Sequence, residues 1–95
     1  MSLKCKEFIY KKHALERMLN RNINFEEVEK AIITGEIIRE YPEDKPFSSY
    51  LILAVIFEKI LHIVVSQDSE GNCIIISAYE PDREIWNSDY KTKKS

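Results

Sequence analysis

Residues 49–79 read SYLILAVIFEKILHIVVSQDSEGNCIIISAY, and this stretch decides the fold. It holds three runs rich in β-branched and apolar side chains, 49–57, 60–67 and 72–79, each about as long as a strand in a globular domain. Glu58-Lys59 separates the first two and Asp68-Ser69-Glu70-Gly71 the last two. Connections this short join only antiparallel neighbours, so the runs predict a meander.

The two connections also predict a register. With Glu58-Lys59 as a two-residue turn, His62 faces Val55; with a four-residue turn at 68–71, His62 also faces Ser77. One sheet face is then Ile52, Ala54, Ile56, Leu61, Ile63, Val65, Ile74, Ile76 and Ala78, entirely apolar. The other mixes Leu51, Leu53, Val55 and Val64 with His62, Ser66, Ser77 and Tyr79. The first face needs helices against it, and the aliphatics of the second need a cover, most simply a partner chain.

The helices are found upstream. Over 9–20, IYKKHALERMLN places Ala14 and Met18, with Tyr10, Leu15 and Leu19 around them, at helical spacing. Asn24, followed three residues later by Glu27, has the spacing of a capping box, with Ile23 before it and Val28 at the staple position. A second helix therefore starts at Phe25, buries Val28, Ala31 and Ile32, and ends at Gly35, expected as a left-handed cap. Residues 36–41 alternate weakly before the polar loop Pro42-Glu43-Asp44-Lys45-Pro46, an edge strand and a surface loop. After Pro81-Asp82, Arg83 to Trp86 predicts one helical turn that drops Trp86 onto the domain.

The predicted fold class is thus α+β: two N-terminal helices packed on an antiparallel sheet of about four strands, with a short C-terminal helical turn. Its 95 residues, 44% hydrophobic and 32% charged, suffice for one core and exclude a disordered chain. Residues 1–90 are read as a single domain and 91–95 as a disordered basic tail. The apolar run 51–57 is far short of the roughly 20 residues of a membrane span, and no export segment is legible, so a cytoplasmic protein is expected. Cys5 and Cys73 are too few for a disulfide framework and read as thiols, Cys73 as core.

A net charge of −2 lacks the basic excess usual in nucleic-acid binders, so any such surface has to be local. The first helix offers one. His13, Arg17 and Arg21 stand at i, i+4 and i+8, a single row able to hold a phosphate with two guanidiniums and move a proton with an imidazole. The same row describes a solvated helix face carrying salt bridges. His62 is either an acid–base group or a hydrogen-bonded core residue, beside Ser77 and near Tyr79. Tyr79, Asp82, Arg83 and Trp86 gather after the last strand, for phosphate contact or for packing. His13, His62, Cys5, Cys73 and Asp82 have no metal-ligand spacing, and Gly35 and Gly71 are the only glycines; neither a metal nor a cofactor is expected.

Several of these residues together carry a resemblance: His13-Ala14-x-x-Arg17-Met18-x-x-Arg21-x-Ile23, Gly35-Glu36-Ile37-Ile38, Leu61-His62-Ile63-Val64-Val65, and Ile75-Ile76-Ser77-Ala78-Tyr79-x-Pro81-Asp82-x-x-x-Trp86. Over nearly the whole chain this resembles the small bacterial and phage family called domain of unknown function 4258. More distantly it is similar to the RelE/ParE-like toxins, particularly the BrnT-type ribonucleases, with Tyr79 where their ending has an arginine. That likeness implies a RelE-like fold and a toxin–antitoxin-like, metal-independent endoribonuclease acting on RNA. His13, His62, Arg17 and Tyr79 would be catalytic, and Arg21, Arg83, Ser77 and Trp86 would hold substrate. An antitoxin or other protein partner and a homodimer follow as expectations. The rival reading is a non-catalytic module that docks a partner protein, or its own twin, on the mixed sheet face.

Overall fold

A computed structural model describes residues 3–94; Met1, Ser2 and Ser95, the last residue of the expected tail, lie outside the described residues. The elements are β1 (Phe8–Tyr10), α1 (Lys12–Asn20), α2 (Phe25–Thr34), β2 (Glu36–Tyr41), β3 (Ser49–Ile56), β4 (Lys59–Gln67) and β5 (Cys73–Tyr79). The sheet has five strands in the order β1-β5-β4-β3-β2. The α+β class and the two helices stand as expected. The sheet is mixed rather than antiparallel, because β1 runs parallel to β5.

The additional strand comes out of the segment read as the start of the first helix. Phe8-Ile9-Tyr10 is aromatic and β-branched, a composition that suits a pleated surface better than a helix. Phe8 and Tyr10 pack on the core while Ile9 points outward. Lys6 N–H donates to Gly71 O at 2.9 Å, and Cys73 N–H to Glu7 O at 2.8 Å. The parallel approach sets Cys5 beside Cys73, and the two form a disulfide. Both cysteines had been expected as thiols. Their partnership spans 68 residues of sequence and depends on a strand pairing that no local pattern announces.

The predicted second helix is present to the residue. Asn24 Oδ1 accepts from Glu27 N–H at 2.8 Å, and Glu27 Oε1 from Asn24 N–H at 2.9 Å, the reciprocal capping box. Lys59 Nζ closes on the same carboxylate at 3.0 Å and on Asn22 O at 2.7 Å, tying the β4 start to the α1–α2 turn. Gly35 corrects an expectation. Its φ of −78° and ψ of 178° are extended, not left-handed. Glycine is required for space: a Cβ there would lie 2.4 Å from Ala31 O and 2.6 Å from Ile52 Cγ2.

The β3–β4 turn is Phe57-Glu58, with φ of +49° and +71°, one residue earlier than expected. His62 consequently pairs with Leu53 instead of Val55, and Ile56 with Lys59. This is a shift of two residues, so the face assignments on β3 and β4 survive. On β5, His62 pairs with Tyr79 instead of Ser77, and the register changes again between Val64 and Val65. That bulge, absorbing Ile76, turns Cys73 and Ile75 toward the helices, where both are fully buried. Ile74 and Ile76, expected there, face the other way.

Residues 80–94 cross the second face and supply part of the cover expected of a partner chain. Where one helical turn is expected, Asp82 O accepts from Ile85 N–H at 3.0 Å and from Trp86 N–H at 2.9 Å. The segment does seat Trp86, which is 5% exposed. Residues 91–94, read from the sequence as tail, run back beside it: Trp86 and Lys93 form a bridge, and Lys91 Nζ meets Glu36 Oε1 at 3.0 Å. Val55 and Phe57, at the far end of the β3–β4 hairpin, stay exposed.

Candidate functional site

β1 pairs with β5 only at Cys73, Ile74 and Ile75, so beyond Ile75 that edge of β5 is open, and the end of α1 lies along it. Arg17 occupies the last turn of α1 and Arg21 is the residue after it, one turn apart, so both guanidiniums project the same way. Arg17 Nη1 donates to Ser77 Oγ at 3.3 Å. Together with Tyr41, Tyr79, Trp86 and Lys93, the two arginines line a cleft of about 710 Å³. Leu51 and Ile85 provide its apolar part, and Glu80 and Asp82 are its acids.

Beneath the cleft a buried His62 pairs with the half-buried Tyr79. His62 is fully buried, with Nδ1 3.2 Å from Tyr79 Oη and Nε2 2.7 Å from Tyr90 O. A carbonyl oxygen only accepts, so Nε2 carries the hydrogen. In neutral imidazole Nδ1 is then the acceptor, and the Tyr79 hydroxyl donates to it. Burial pushes His62 below its ordinary value, against the upward pull of the Tyr90 carbonyl; the ring is neutral near pH 7. Burial and the neighbouring Tyr41 push the Tyr79 phenol up, while Arg21 and Arg17 oppose them. Tyr79 is therefore a protonated hydroxyl at neutrality, with its proton directed at His62.

Five of the residues singled out in the sequence, Arg17, Arg21, Tyr79, Asp82 and Trp86, line this one cleft; Ser77 is held by Arg17 and His62 lies behind Tyr79. His13 does not join them. Its side chain is 89% exposed, with Glu16 3.8 Å away, and it is absent from the lining. Arg83 turns elsewhere, its Nε donating to Tyr90 Oη at 3.1 Å. Trp86 is a wall of the cleft. Its ring meets His62 edge-on at 4.5 Å, and the Arg39 and Lys93 cations stand 5.9 and 5.7 Å from its centroid. Among the described residues no three His, Cys, Asp or Glu side chains gather as metal ligands.

Lys93 and Tyr41 were missed as cleft residues. Tyr41 ends the edge strand, and its neighbours become legible only once the sheet is assembled. For Lys93 a local signal did exist. Asn87-Ser88-Asp89-Tyr90 is rich in turn formers, and Asp89 Oδ1 accepts from Lys91 N–H at 2.9 Å, reversing the chain so that Lys93 returns to Trp86.

A family model described as "Domain of unknown function (DUF4258)" matches residues 10–80, and the chain belongs to that family. The match ends at Glu80, short of the full extent of the resemblance, and leaves Arg83, Trp86 and Lys93 outside it. Neither a curated protein nor a solved structure matches the chain, and these comparisons lend no support to the likeness to RelE/ParE-like toxins.

Proposed function

We propose that this member of the DUF4258 family is an RNA-directed, metal-independent endoribonuclease whose cleft holds one scissile phosphodiester. The observation that carries the reading is the convergence of Arg17 and Arg21 on Tyr79, whose hydroxyl proton already points at a neutral imidazole. Two guanidiniums offer paired donors to phosphate oxygens and stabilise the extra charge of a phosphorane. Lys93 adds a third cation for a neighbouring phosphate.

The reaction is a transesterification. The ribose 2′-oxygen attacks phosphorus and loses its proton to Tyr79 Oη; the 2′-O–P bond forms, the P–O5′ bond breaks, and the leaving 5′-oxygen takes a proton from solvent in the open cleft. The products are a 2′,3′-cyclic phosphate and a 5′-hydroxyl. His13, at the solvated end of the arginine row, is a candidate for meeting a flanking phosphate rather than the reacting one, and Arg83 for a contact beyond the cleft. An RNA-cleaving activity of this kind calls for a protein antitoxin as partner.

A second reading is a non-catalytic module that binds a partner protein or pairs with its own copy. Val55 and Phe57, 67% and 63% exposed on the hairpin, favour it, although residues 80–94 take up much of the face it was to use. Incubating the protein with a mixed-sequence single-stranded RNA in chelator separates the two. Cleavage to cyclic-phosphate ends, lost in Arg17→Ala and Tyr79→Phe, is expected. An intact RNA under all conditions would reject the ribonuclease and leave the module.

A further inference from the structure

We infer that His62 is a positioning residue that takes the Tyr79 proton during the reaction, a role that rests on the ribonuclease reading. Tyr79 alone is a poor base, because its oxygen already carries a hydrogen. To accept the 2′-hydroxyl proton it has to release its own in the same step. Among the described residues, His62 Nδ1 at 3.2 Å is the hydrogen-bond partner found for the Tyr79 hydroxyl.

The surroundings fix His62 for this task. Tyr90 O at 2.7 Å holds the hydrogen on Nε2, which leaves Nδ1 with a free electron pair aimed at Tyr79. When Nδ1 gains the proton, the same carbonyl stabilises the resulting imidazolium through Nε2–H. The Trp86 ring, perpendicular to the imidazole with centroids 4.5 Å apart, and the pairing of β4 with β5 at His62 and Tyr79 keep the imidazole from turning. The proton count closes: one proton moves from the 2′-oxygen to Tyr79 Oη, one from Tyr79 Oη to His62 Nδ1, and one from solvent to the 5′-oxygen. His62 then returns its proton through Tyr79 to solvent when the product leaves.

The role also explains a polar residue inside the apolar run 60–65 of β4. A structural histidine needs only one donor and one acceptor, which glutamine also presents on a planar group of similar span. Glutamine cannot take up a proton. His62→Gln is therefore the discriminating substitution.

The test is single-turnover cleavage of a mixed-sequence RNA oligonucleotide by the wild type and His62→Gln, with affinity measured on the 2′-deoxy oligonucleotide. The expected result is unchanged affinity with a cleavage rate down by roughly 10²- to 10⁴-fold. Wild-type rate in His62→Gln would assign His62 to packing and overturn the inference while leaving the ribonuclease standing. A wild type that cleaves nothing overturns the parent reading and this role with it. A second measurement holds if His62→Gln does not fold: nitrogen-15 NMR of the wild-type imidazole, expected to show hydrogen on Nε2 and a Nδ1 signal that moves in Tyr79→Phe. Hydrogen on Nδ1 would reverse the Tyr79 bond and overturn the inference.

Discussion

Tyr79, Arg17 and Arg21 place a neutral hydroxyl and two permanent cations on one small area, and each makes a separate demand of a ligand. The arginines act through charge. Each one that neutralises a phosphate releases counterions, so removing it lowers the steepness of log affinity against log salt by about 0.7 for a single strand. Arg17→Ala and Arg21→Ala are each expected to show this in fluorescence titrations of RNA across a salt series. His62 acts through burial, with a stability that depends on pH. Its folded value lies below the ordinary 6.5, so the unfolded chain takes the proton first. The contribution of His62 is therefore complete above about pH 6.5 and is lost as pH falls through the depressed folded value. Urea midpoints followed from about pH 8 to about pH 5 should fall for the wild type. They should fall less for His62→Gln, which has no proton to gain; equal slopes would mean that the imidazole is not desolvated.

The features that could be read ahead of the fold are those whose cause is local to an element. The Asn24–Glu27 capping box spans four residues, and its side chains bond each other's backbone whatever else the chain does. The core stripe Val28, Ala31 and Ile32 follows from helical periodicity alone, and all three are fully buried. The hairpin register was not legible, because Glu58-Lys59 and Phe57-Glu58 are equally poor two-residue turns by composition. What decides between them is pairing along the whole of β3 and β4, and the chosen turn holds Glu58 at φ +71°. A left-handed conformation is unfavourable by about 1–2 kcal/mol for a residue with a Cβ, and Glu58 is exposed, so glycine there relieves the turn without touching the core. Glu58→Gly is expected to raise stability by about 1 kcal/mol, a Tm increase of roughly 4–8 °C for a domain of this size. A lower Tm in a calorimetric scan would mean that Glu58 does not hold a left-handed conformation.

At the scale of the whole molecule, long-range closure does what local pattern cannot announce. The two ends of the chain lie on the sheet in different ways: β1 adds a parallel edge, and residues 80–94 cover the second face and bring Lys93 to the cleft. Arginine spacing on α1 and the polar residues of β4 and β5 were visible in the sequence, but their convergence depends on these closures, as does the exclusion of His13. The N-terminal closure is covalent. Cys5 and Cys73 bound a loop with a sequence separation of 68, and in the chain-entropy account a crosslink of that span stabilises by about 4 kcal/mol through restriction of the unfolded ensemble. Cys5→Ser is the cleaner removal, because Cys5 is half-buried at the edge whereas Cys73 is fully buried in the core. The oxidised wild type should unfold at higher urea than Cys5→Ser, by a midpoint shift matching about 4 kcal/mol, and dithiothreitol should bring the wild type down to the variant. β1 leads directly into α1 through Lys11, whose N–H bonds Ile75 O at 3.1 Å, so the loss should also loosen the helix that presents Arg17, and RNA affinity should weaken in the same samples. A midpoint indifferent to dithiothreitol would mean that Cys5 and Cys73 stand as thiols, with β1 held by its backbone bonds and its packing alone.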